Sequence, residues 1–275
     1  MSRPRRLSHE LLPVPGGRVG LWTKGSGPDV VVVHGSGLAA RDYRLLLQAL
    51  CQDFTVHLYD RRGRGGSSDN GISYSVRTEV SDLAAVMAAT GSRRVFGHAY
   101  GGFVALQAAR EHDWDRVVTY DAAVSIDRDT PDWWVGDFEE AVAAGDHGRA
   151  AALLVKGLDL VPVVSRIPLS LGTPIGRIYA ASPFGKDWNS RAGATLAEVG
   201  EVLSHDGPAT DYAGITARTT LCVGGASAPW FRRSAEAILP VLPDGRMVAV
   251  LSGLGHDAAQ RAPKRLVREL VDALT

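Results

Sequence analysis

The residues with the clearest potential for covalent chemistry lie in one short turn, residues 97–102 (G-H-A-Y-G-G). A strand-like run enters the turn over residues 93–96, and a helix-like run leaves it over residues 101–111. This context is typical of a nucleophile elbow, G-x-S-x-G, whose central side chain stands alone above the sheet edge. The central residue here is Ala99, which has no lone pair and no acidic proton. The predicted elbow therefore has no nucleophile at its central position, residue 99.

The elements around the turn alternate between buried strands and amphipathic helices. Residues 30–33 are four valines in a row, the pattern of a strand buried on both faces of a parallel sheet. Gly91 follows an apolar helical pattern at the place of a C-terminal cap. The other predicted strands are 7–14, 19–23, 54–59, 117–120, 219–223 and 247–251, and the other predicted helices are 41–51, 80–89, 231–239 and 263–274. This order predicts an α/β fold with a mostly parallel central sheet flanked by helices.

The composition and net charge of the chain indicate which classes of binding partner are disfavoured. The 275 residues include 30 Lys and Arg against 30 Asp and Glu, so nothing favours nucleic acid or an acidic membrane surface. No apolar run is long enough to span a bilayer, and no apolar segment follows the basic first six residues as in a secretory signal. Cys51 and Cys222 fall in different elements and are expected to be buried thiols. We therefore expect a cytoplasmic protein.

Four motifs at the ends of predicted strands resemble those of the α/β-hydrolase fold family. They are residues 34–37 (H-G-S-G), residues 60–67 (D-R-R-G-R-G-G-S), the elbow turn, and residues 255–256 (G-H), in the order of that family. The resemblance covers nearly the whole chain outside residues 127–211. It implies a core of residues 1–126 and 212–275, with a mainly helical cap, residues 127–211, inserted after the sixth strand.

The resemblance also assigns a base and an acid, which follow the nucleophile in the chain. His256, between the last strand and the last helix, takes the place of the general base. In many members the acid follows the strand that is 219–223 here, but residues 224–229 (G-G-A-S-A-P) contain no carboxylate. Asp121, at the end of the preceding strand, is therefore our choice. Asp60 is the alternative, and Asp121 would then only cap the start of the insertion.

An oxyanion hole needs two backbone N–H groups directed at a developing negative oxygen. The resemblance assigns one of them to Tyr100, directly after the elbow centre, and the other to Ser36. Gly37 is the alternative to Ser36 and is also expected to face the substrate. Because these contributions come from the backbone, the identity of the side chains constrains them little.

Two explanations of Ala99 remain open. In the first, the natural protein has serine at this position, and the present chain is an inactivated variant. In the second, alanine is natural, and the protein is a non-hydrolytic member of the fold. The first explanation accounts for the retained elbow glycines, oxyanion loop, Asp121 and His256, because a lineage without a nucleophile would have little reason to keep them.

The resulting hypothesis is a serine-type hydrolase of carboxylic esters or lactones, nearly inactive in this chain because of Ala99. One rival is a binding protein that uses the same pocket without turnover. Another is a cofactor-free lyase or cyclase in which His256 alone acts as base. Haloalkane and epoxide hydrolases are disfavoured because their chemistry requires a carboxylate at position 99.

Aromatic side chains in and near the expected cap point to an apolar small molecule as substrate. The residues expected to contact it, beside Gly37, are Trp133, Trp134, Phe138, Tyr179, Trp188 and Trp230. The alternative for each ring is a place in the core of the cap. We expect no cofactor and no metal, since the chain has neither H-x-x-x-H nor a Cys/His cluster. A homodimer remains open.

Overall fold

An eight-stranded sheet forms the centre of the computed structural model, which describes residues 5–71 and 74–275. The strands are β1 (Arg5–Val14), β2 (Gly17–Gly25), β3 (Asp29–Val33), β4 (Thr55–Asp60), β5 (Arg94–His98), β6 (Arg116–Tyr120), β7 (Arg218–Gly224) and β8 (Gly245–Leu251). Their order across the sheet is β1-β2-β4-β3-β5-β6-β7-β8. Strand β2 pairs antiparallel with β1 and β4, and every other neighbouring pair is parallel.

Helices connect the strands and cover both faces of the sheet. They are α1 (Arg44–Leu50), α2 (Val76–Thr90), α3 (Tyr100–Ala109), α4 (Val135–Ala143), α5 (His147–Gly157), α6 (Pro162–Ser165), α7 (Leu169–Ala181), α8 (Pro183–Ser204), α9 (Pro229–Ile238), α10 (Ala258–Arg261) and α11 (Lys264–Leu274). Over the residues that the structure describes, none of them has the length and apolar character needed to cross a membrane. The predicted α/β fold with a mostly parallel sheet is confirmed.

The buried strands explain why the sheet is covered on both sides. Along β3, Val31 and Val33 pack into a cluster with side chains of α2, α3 and α9. Val30 and Val32 point the other way, into a cluster with α1 and α11. Successive strand residues face opposite sides of a sheet, so an unbroken run of valines fills both cores at once.

Five helices, α4 to α8, lie between β6 and β7, as predicted for an insertion after the sixth strand. They have a core of their own, formed by Trp134, Phe138, Ala141, Ala150, Leu153, Trp188 and Ala192. We call α4 to α8 the helical insertion. Its exact boundaries at residues 127 and 211 stay a prediction.

Local signals account for several element ends. Gly91 follows α2 with φ of 71°, the left-handed conformation expected of a glycine cap. The predicted helix over residues 41–51 is divided, because Ala40–Tyr43 form a 3-10 turn before α1 begins. Helix α9 begins at Pro229, two residues earlier than predicted, since proline has no N–H to leave unpaired in the first turn.

The two cysteines are buried free thiols, as predicted. Cys222 lies on β7, whose side chains are buried from its second residue onward. Burial raises the pKa of the Cys222 thiol to about 12, so it remains protonated at neutral pH and carries no nucleophilic chemistry.

Candidate active site

Strand β5 and helix α3 meet at Ala99 in a strained turn. Ala99 has φ of 51° and ψ of −119°, a conformation that residues with a side chain rarely adopt. A Cβ atom on Gly97 would overlap the carbonyl oxygen of Gly101, and one on Gly101 would overlap that of Val33. Both glycines are therefore required by close backbone approach, and the backbone has the geometry of an elbow although its central residue is alanine.

Asp121 and His256 come together beside this turn. Asp121 directly follows β6, and its Oδ2 atom lies 3.1 Å from Nδ1 of His256. The backbone N–H of Gly224 donates to Oδ1 at 2.9 Å, and the Ser227 hydroxyl donates to Oδ2 at 2.5 Å. The end of β7 and the loop after it, which contain no carboxylate, thus supply two hydrogen-bond donors to the carboxylate that follows β6.

Asp60, the alternative acid, is used elsewhere. The backbone N–H of Ala40 donates to its Oδ1 at 2.8 Å, and the Trp22 indole donates to its Oδ2 at 3.3 Å. The Ser67 hydroxyl donates to its backbone carbonyl at 2.6 Å. These contacts hold the turn after β4, and the structure brings Asp121 rather than Asp60 to His256.

The His256 ring is oriented by its neighbours. It stacks on Phe231, with ring centroids 4.8 Å apart and planes 13° apart. An ionised carboxylate only accepts hydrogen bonds, so the Asp121 contact places the proton of a neutral ring on Nδ1. Among the described residues nothing bonds to Nε2, and the ring borders the same pocket as Ala99. The lone pair of Nε2 is therefore available to take a proton.

A buried chain of hydrogen bonds joins the loop after β3 to the loop that carries His256. The Gly35 N–H donates to the Tyr43 hydroxyl at 2.9 Å, which in turn donates to Nδ1 of His98. Nε2 of His98 then donates to the His256 carbonyl at 2.9 Å. Burial, with a smaller contribution from His256, lowers the pKa of His98 well below its usual value. The chain of hydrogen bonds needs one acceptor and one donor from His98, and a neutral imidazole ring provides both.

The predicted oxyanion donors border the same pocket as Ala99. Tyr100 is the first residue of α3, where a helix leaves its N–H groups without a partner inside the helix. Within residues 5–71 and 74–275, no acceptor bonds to the backbone N–H of Tyr100 or Ser36, whereas the N–H of Gly35 is taken by Tyr43. Both predicted donors are thus available, and their role stays a prediction.

Two pockets lie between the sheet and the helical insertion. The elbow pocket, about 410 Å³, is bordered by Ala99, His256 and the loop after β3, with an otherwise largely apolar wall. The second pocket, about 610 Å³, is bordered by that same loop and by helices α5, α7 and α8. Of the aromatic residues predicted to contact substrate, Trp230 borders the elbow pocket, Trp188 the second pocket and Tyr179 both. Gly37, for which a substrate contact stays a prediction, borders the second pocket.

Three predicted substrate contacts border neither pocket. Trp134 and Phe138 are fully buried in the core of the helical insertion, because Trp134, directly before α4, lies on the same side as Phe138 and Ala141 of that helix. Trp133 precedes α4, and 59% of its surface is exposed to solvent. The prediction that these three rings contact the substrate is therefore corrected, and for Trp134 and Phe138 the alternative of a core position holds.

The fold agrees with comparisons to known proteins. Residues 30–269 match the model of a family described as "Alpha/beta hydrolase family". The chain belongs to this family. A crystal structure of an alpha/beta hydrolase from Sphaerobacter thermophilus superposes with a TM-score of 0.77 at 25% identity, over 97% of this chain and 100% of that one.

Curated relatives of this alpha/beta hydrolase match over shorter stretches. A soluble epoxide hydrolase from a Corynebacterium species is 31% identical over 108 residues, which are 38% of this chain and 38% of that protein. A pimeloyl-[acyl-carrier protein] methyl ester esterase from Stenotrophomonas maltophilia is 38% identical over 85 residues, 31% of this chain and 32% of that protein. The matches thus span about a third to two fifths of these relatives, which are named as hydrolases of different bonds.

A cluster of buried charges next to the elbow was not predicted. The Arg61 guanidinium donates to Oε1 of Glu79 at 2.8 Å and to Oε1 of Glu198 at 2.9 Å, and Arg64 also contacts Glu198. Burial disfavours the charged form of Glu198, but Arg61 and Arg64 outweigh it and hold its pKa below the usual value. Arg61 lies in the motif after β4, whereas Glu198 is 137 residues away on α8. No local pattern in the sequence indicates that they meet.

Arg61 also contacts Tyr100 and Gly35, the residue before Ser36. Its guanidinium donates to the Gly35 carbonyl at 3.3 Å and lies 4.8 Å from the centre of the Tyr100 ring. Its backbone N–H donates to Nε2 of His34 at 3.1 Å. In this alpha/beta hydrolase the buried ion cluster therefore supports the walls of the elbow pocket.

Among the described residues, no group of three or more His, Cys, Asp or Glu side chains is arranged to bind a metal ion.

Proposed function

We propose that this alpha/beta hydrolase is built to cleave a carboxylic ester or lactone of a small apolar molecule through a serine-type triad. We propose further that Ala99 stands where the active protein has serine. The observation that carries this proposal is the Asp121–His256 pair, whose free Nε2 borders the same pocket as the strained residue 99. An elbow backbone, a base and an oriented acid together support acyl transfer better than any other reaction class.

The reaction follows from the position of these groups. With serine at position 99, Nε2 of His256 takes the hydroxyl proton as the oxygen attacks the ester carbonyl carbon. Asp121 keeps the ring in the required tautomer and stabilises the imidazolium that forms. The backbone N–H groups of Tyr100 and Ser36 receive the negative oxygen, and each such donor contributes about 10²–10³ in rate. The C–O bond to the alcohol then breaks, and His256 returns the proton to the leaving oxygen.

Hydrolysis of the acyl-enzyme repeats these steps with water. His256 removes a proton from water, the hydroxide oxygen attacks the acyl carbon, and the serine oxygen leaves with that proton. In a lactone the leaving alcohol is part of the same molecule, and the product is a hydroxy acid. Ala99 cannot begin this sequence, so the present chain is expected to bind substrate without consuming it.

The elbow pocket supports a small apolar substrate. Beside the polar groups named above, its wall is formed largely by apolar side chains, among them Leu158, Val202, Leu203, Trp230 and Phe231. An apolar wall with a few convergent polar groups is the usual arrangement of a small-molecule site. The esterase named among the relatives acts on a methyl ester, which fits the proposed reaction class. Epoxide opening, named for another relative, needs a carboxylate at position 99.

The test is to restore the nucleophile. Ala99→Ser should give burst release of p-nitrophenol from an activated ester and should be labelled by a serine-directed fluorophosphonate. Adding His256→Ala or Asp121→Asn should lower kcat by about 10³–10⁴ or more while the protein stays folded by circular dichroism. No turnover by Ala99→Ser across a panel of esters and lactones would refute the proposal. Activity of the unchanged chain that His256→Ala removes would instead identify a lyase or cyclase.

A further inference from the structure

The second pocket extends the elbow pocket away from Ala99. The side chains and backbone that border both are Ser36, Leu38, Leu154, Val155, Tyr179 and Gln260. Ser36 also carries one of the proposed oxyanion donors. The two pockets are therefore adjacent at Ser36, and a molecule with its ester group at the elbow would extend past Ser36 to reach the larger second pocket. What the second pocket accepts then determines which esters fit.

Most of the second pocket is apolar, with four charged side chains in its wall. The apolar part comes from α5, α7 and the segment between α6 and α7, for example Ala151, Ile167 and Ile175. The charged residues are Asp42, Lys156, Asp187 and Arg191. Formal charges sum to zero over these four. How they are paired decides whether the pocket presents a charge to a ligand.

Three of the four charges are paired inside the protein. Nη1 of Arg191 lies 3.5 Å from Oδ2 of Asp42 and donates to the Gly37 carbonyl at 3.1 Å. Asp187 forms an ion pair with Arg41, a residue outside the wall of the pocket. Both acidic side chains of the wall thus have a cationic partner. The additional cation from Arg41 leaves one positive charge in excess.

Lys156 carries that excess charge. Its Nζ donates to the carbonyl of Ser165 at 2.7 Å and to that of Ile167 at 3.3 Å. Among the described residues, no carboxylate lies within 4.0 Å of Nζ. An ammonium group has three N–H donors, so one remains for a ligand. The two carbonyls fix the ammonium without neutralising it, which prepares it to bind an anion.

We propose that the second pocket binds an anionic group of the substrate, with Lys156 as its partner. The substrate class is then an ester or lactone whose apolar body carries a carboxylate remote from the bond that is cleaved. This inference rests on the proposed function, because the elbow places the ester group. In a largely apolar wall, a charge-assisted hydrogen bond from Lys156 favours the anionic over the neutral form of the same molecule.

A structural role for Lys156 makes a different prediction. If the side chain only holds the backbone after α6, its charge has no effect on ligand choice. Lys156→Gln separates the two roles, because an amide can still donate to the carbonyls of Ser165 and Ile167 but carries no charge. Lys156→Arg keeps the charge. Lys186→Gln removes a charge from an exposed position that borders neither pocket and serves as the matched control.

The experiment uses the chain with Ala99, so that esters are bound without turnover. Isothermal titration calorimetry compares monomethyl esters of straight-chain α,ω-dicarboxylic acids, in graded lengths, with the corresponding dimethyl esters. We expect the best half-ester to bind about tenfold to a hundredfold more tightly than its diester. Lys156→Gln should abolish this preference by lowering half-ester affinity to about that of the diester, whereas Lys156→Arg and Lys186→Gln should retain it.

Three results would overturn the inference: no preference for the half-ester, a preference that persists in Lys156→Gln, or no binding by any half-ester. Thermal unfolding of each variant shows whether it remains folded. Failure of the proposed function is separate. If Ala99→Ser hydrolyses neutral diesters and anionic half-esters equally well, the anion site is refuted and the hydrolase stands. If half-esters bind through Lys156 but Ala99→Ser has no activity, the anion site stands and the hydrolase is refuted.

Discussion

The guanidinium of Arg61 donates to the carboxylate of Glu198 at 2.9 Å, and both side chains are fully buried. Glu198 belongs to α8 of the helical insertion, and Arg61 to the turn after β4. The same guanidinium nitrogen, Nη2, donates to the Gly35 carbonyl in the loop that leads to Ser36. One ion pair therefore couples the position of the insertion to the backbone at the elbow pocket.

Removing the carboxylate of this pair should strongly destabilise the protein. In Glu198→Ala the charges of Arg61 and Arg64 lose a shared partner in a site that water does not reach, which costs about 3–5 kcal/mol of unfolding free energy. Urea unfolding followed by tryptophan fluorescence measures the loss. The control is Glu236→Ala, which breaks an exposed pair with Arg232 on α9 and should cost about 0.5 kcal/mol or less. Equal losses in the two variants would contradict this assignment.

Two buried histidines near the elbow should make stability depend on pH. Burial, with Arg61 and Arg64, lowers the pKa of His34 well below its usual value, and burial with His256 does the same for His98. In the unfolded chain a histidine binds its proton below a pH of about 6.5, whereas these two remain neutral in the fold. The unfolded state therefore binds more protons at low pH. The free energy of unfolding is fully retained above a pH of about 6.5 and decreases as the pH is lowered further. The slope is at most about 1.4 kcal/mol per pH unit for each ring.

Urea unfolding at a series of pH values between about 7.5 and 5.5 measures this slope. His98→Gln retains a donor and an acceptor but cannot take up a proton, so its slope should be shallower by about one proton. The substitution lowers stability by itself, and the comparison therefore concerns the slopes rather than the absolute values. Identical slopes in the two proteins would show that His98 does not contribute.

The sequence indicated those features that depend on near neighbours in the chain. The strand over residues 30–33, the cap at Gly91 and the elbow glycines all follow from local pattern, and all are present. The contact between Asp121 and His256 joins residues 135 positions apart, so only the resemblance to a family could predict it. The end of β7 and the turn after it carried a signal that sequence reasoning missed, since Gly224 and Ser227 supply hydrogen-bond donors to Asp121.

Other parts of the site depend on tertiary packing and left no trace in the sequence. Tyr43 and His98 are 55 positions apart, and their contact arises because the turn before α1 lies over the end of β5. Lys156 belongs to no motif, and its importance follows only from which neighbouring charges are already paired. The core positions of Trp134 and Phe138, in contrast, do follow from a local pattern. Their spacing with Ala141 is that of one helix face, which predicts a core position.

The backbone at Ala99 provides a test that does not depend on turnover. A residue with a side chain at φ of 51° and ψ of −119° costs about 1–3 kcal/mol, whereas glycine adopts this region freely. Glycine also makes the unfolded chain more flexible, which offsets about 0.5–1 kcal/mol. Ala99→Gly should therefore raise the unfolding free energy by up to about 2 kcal/mol in urea titrations. Ala88→Gly, at an exposed position within α2, should lower it by about 0.5–1 kcal/mol. The same chemical change is thus expected to have opposite signs at the two sites, and a loss at position 99 equal to that at position 88 would mean that the elbow stores no strain.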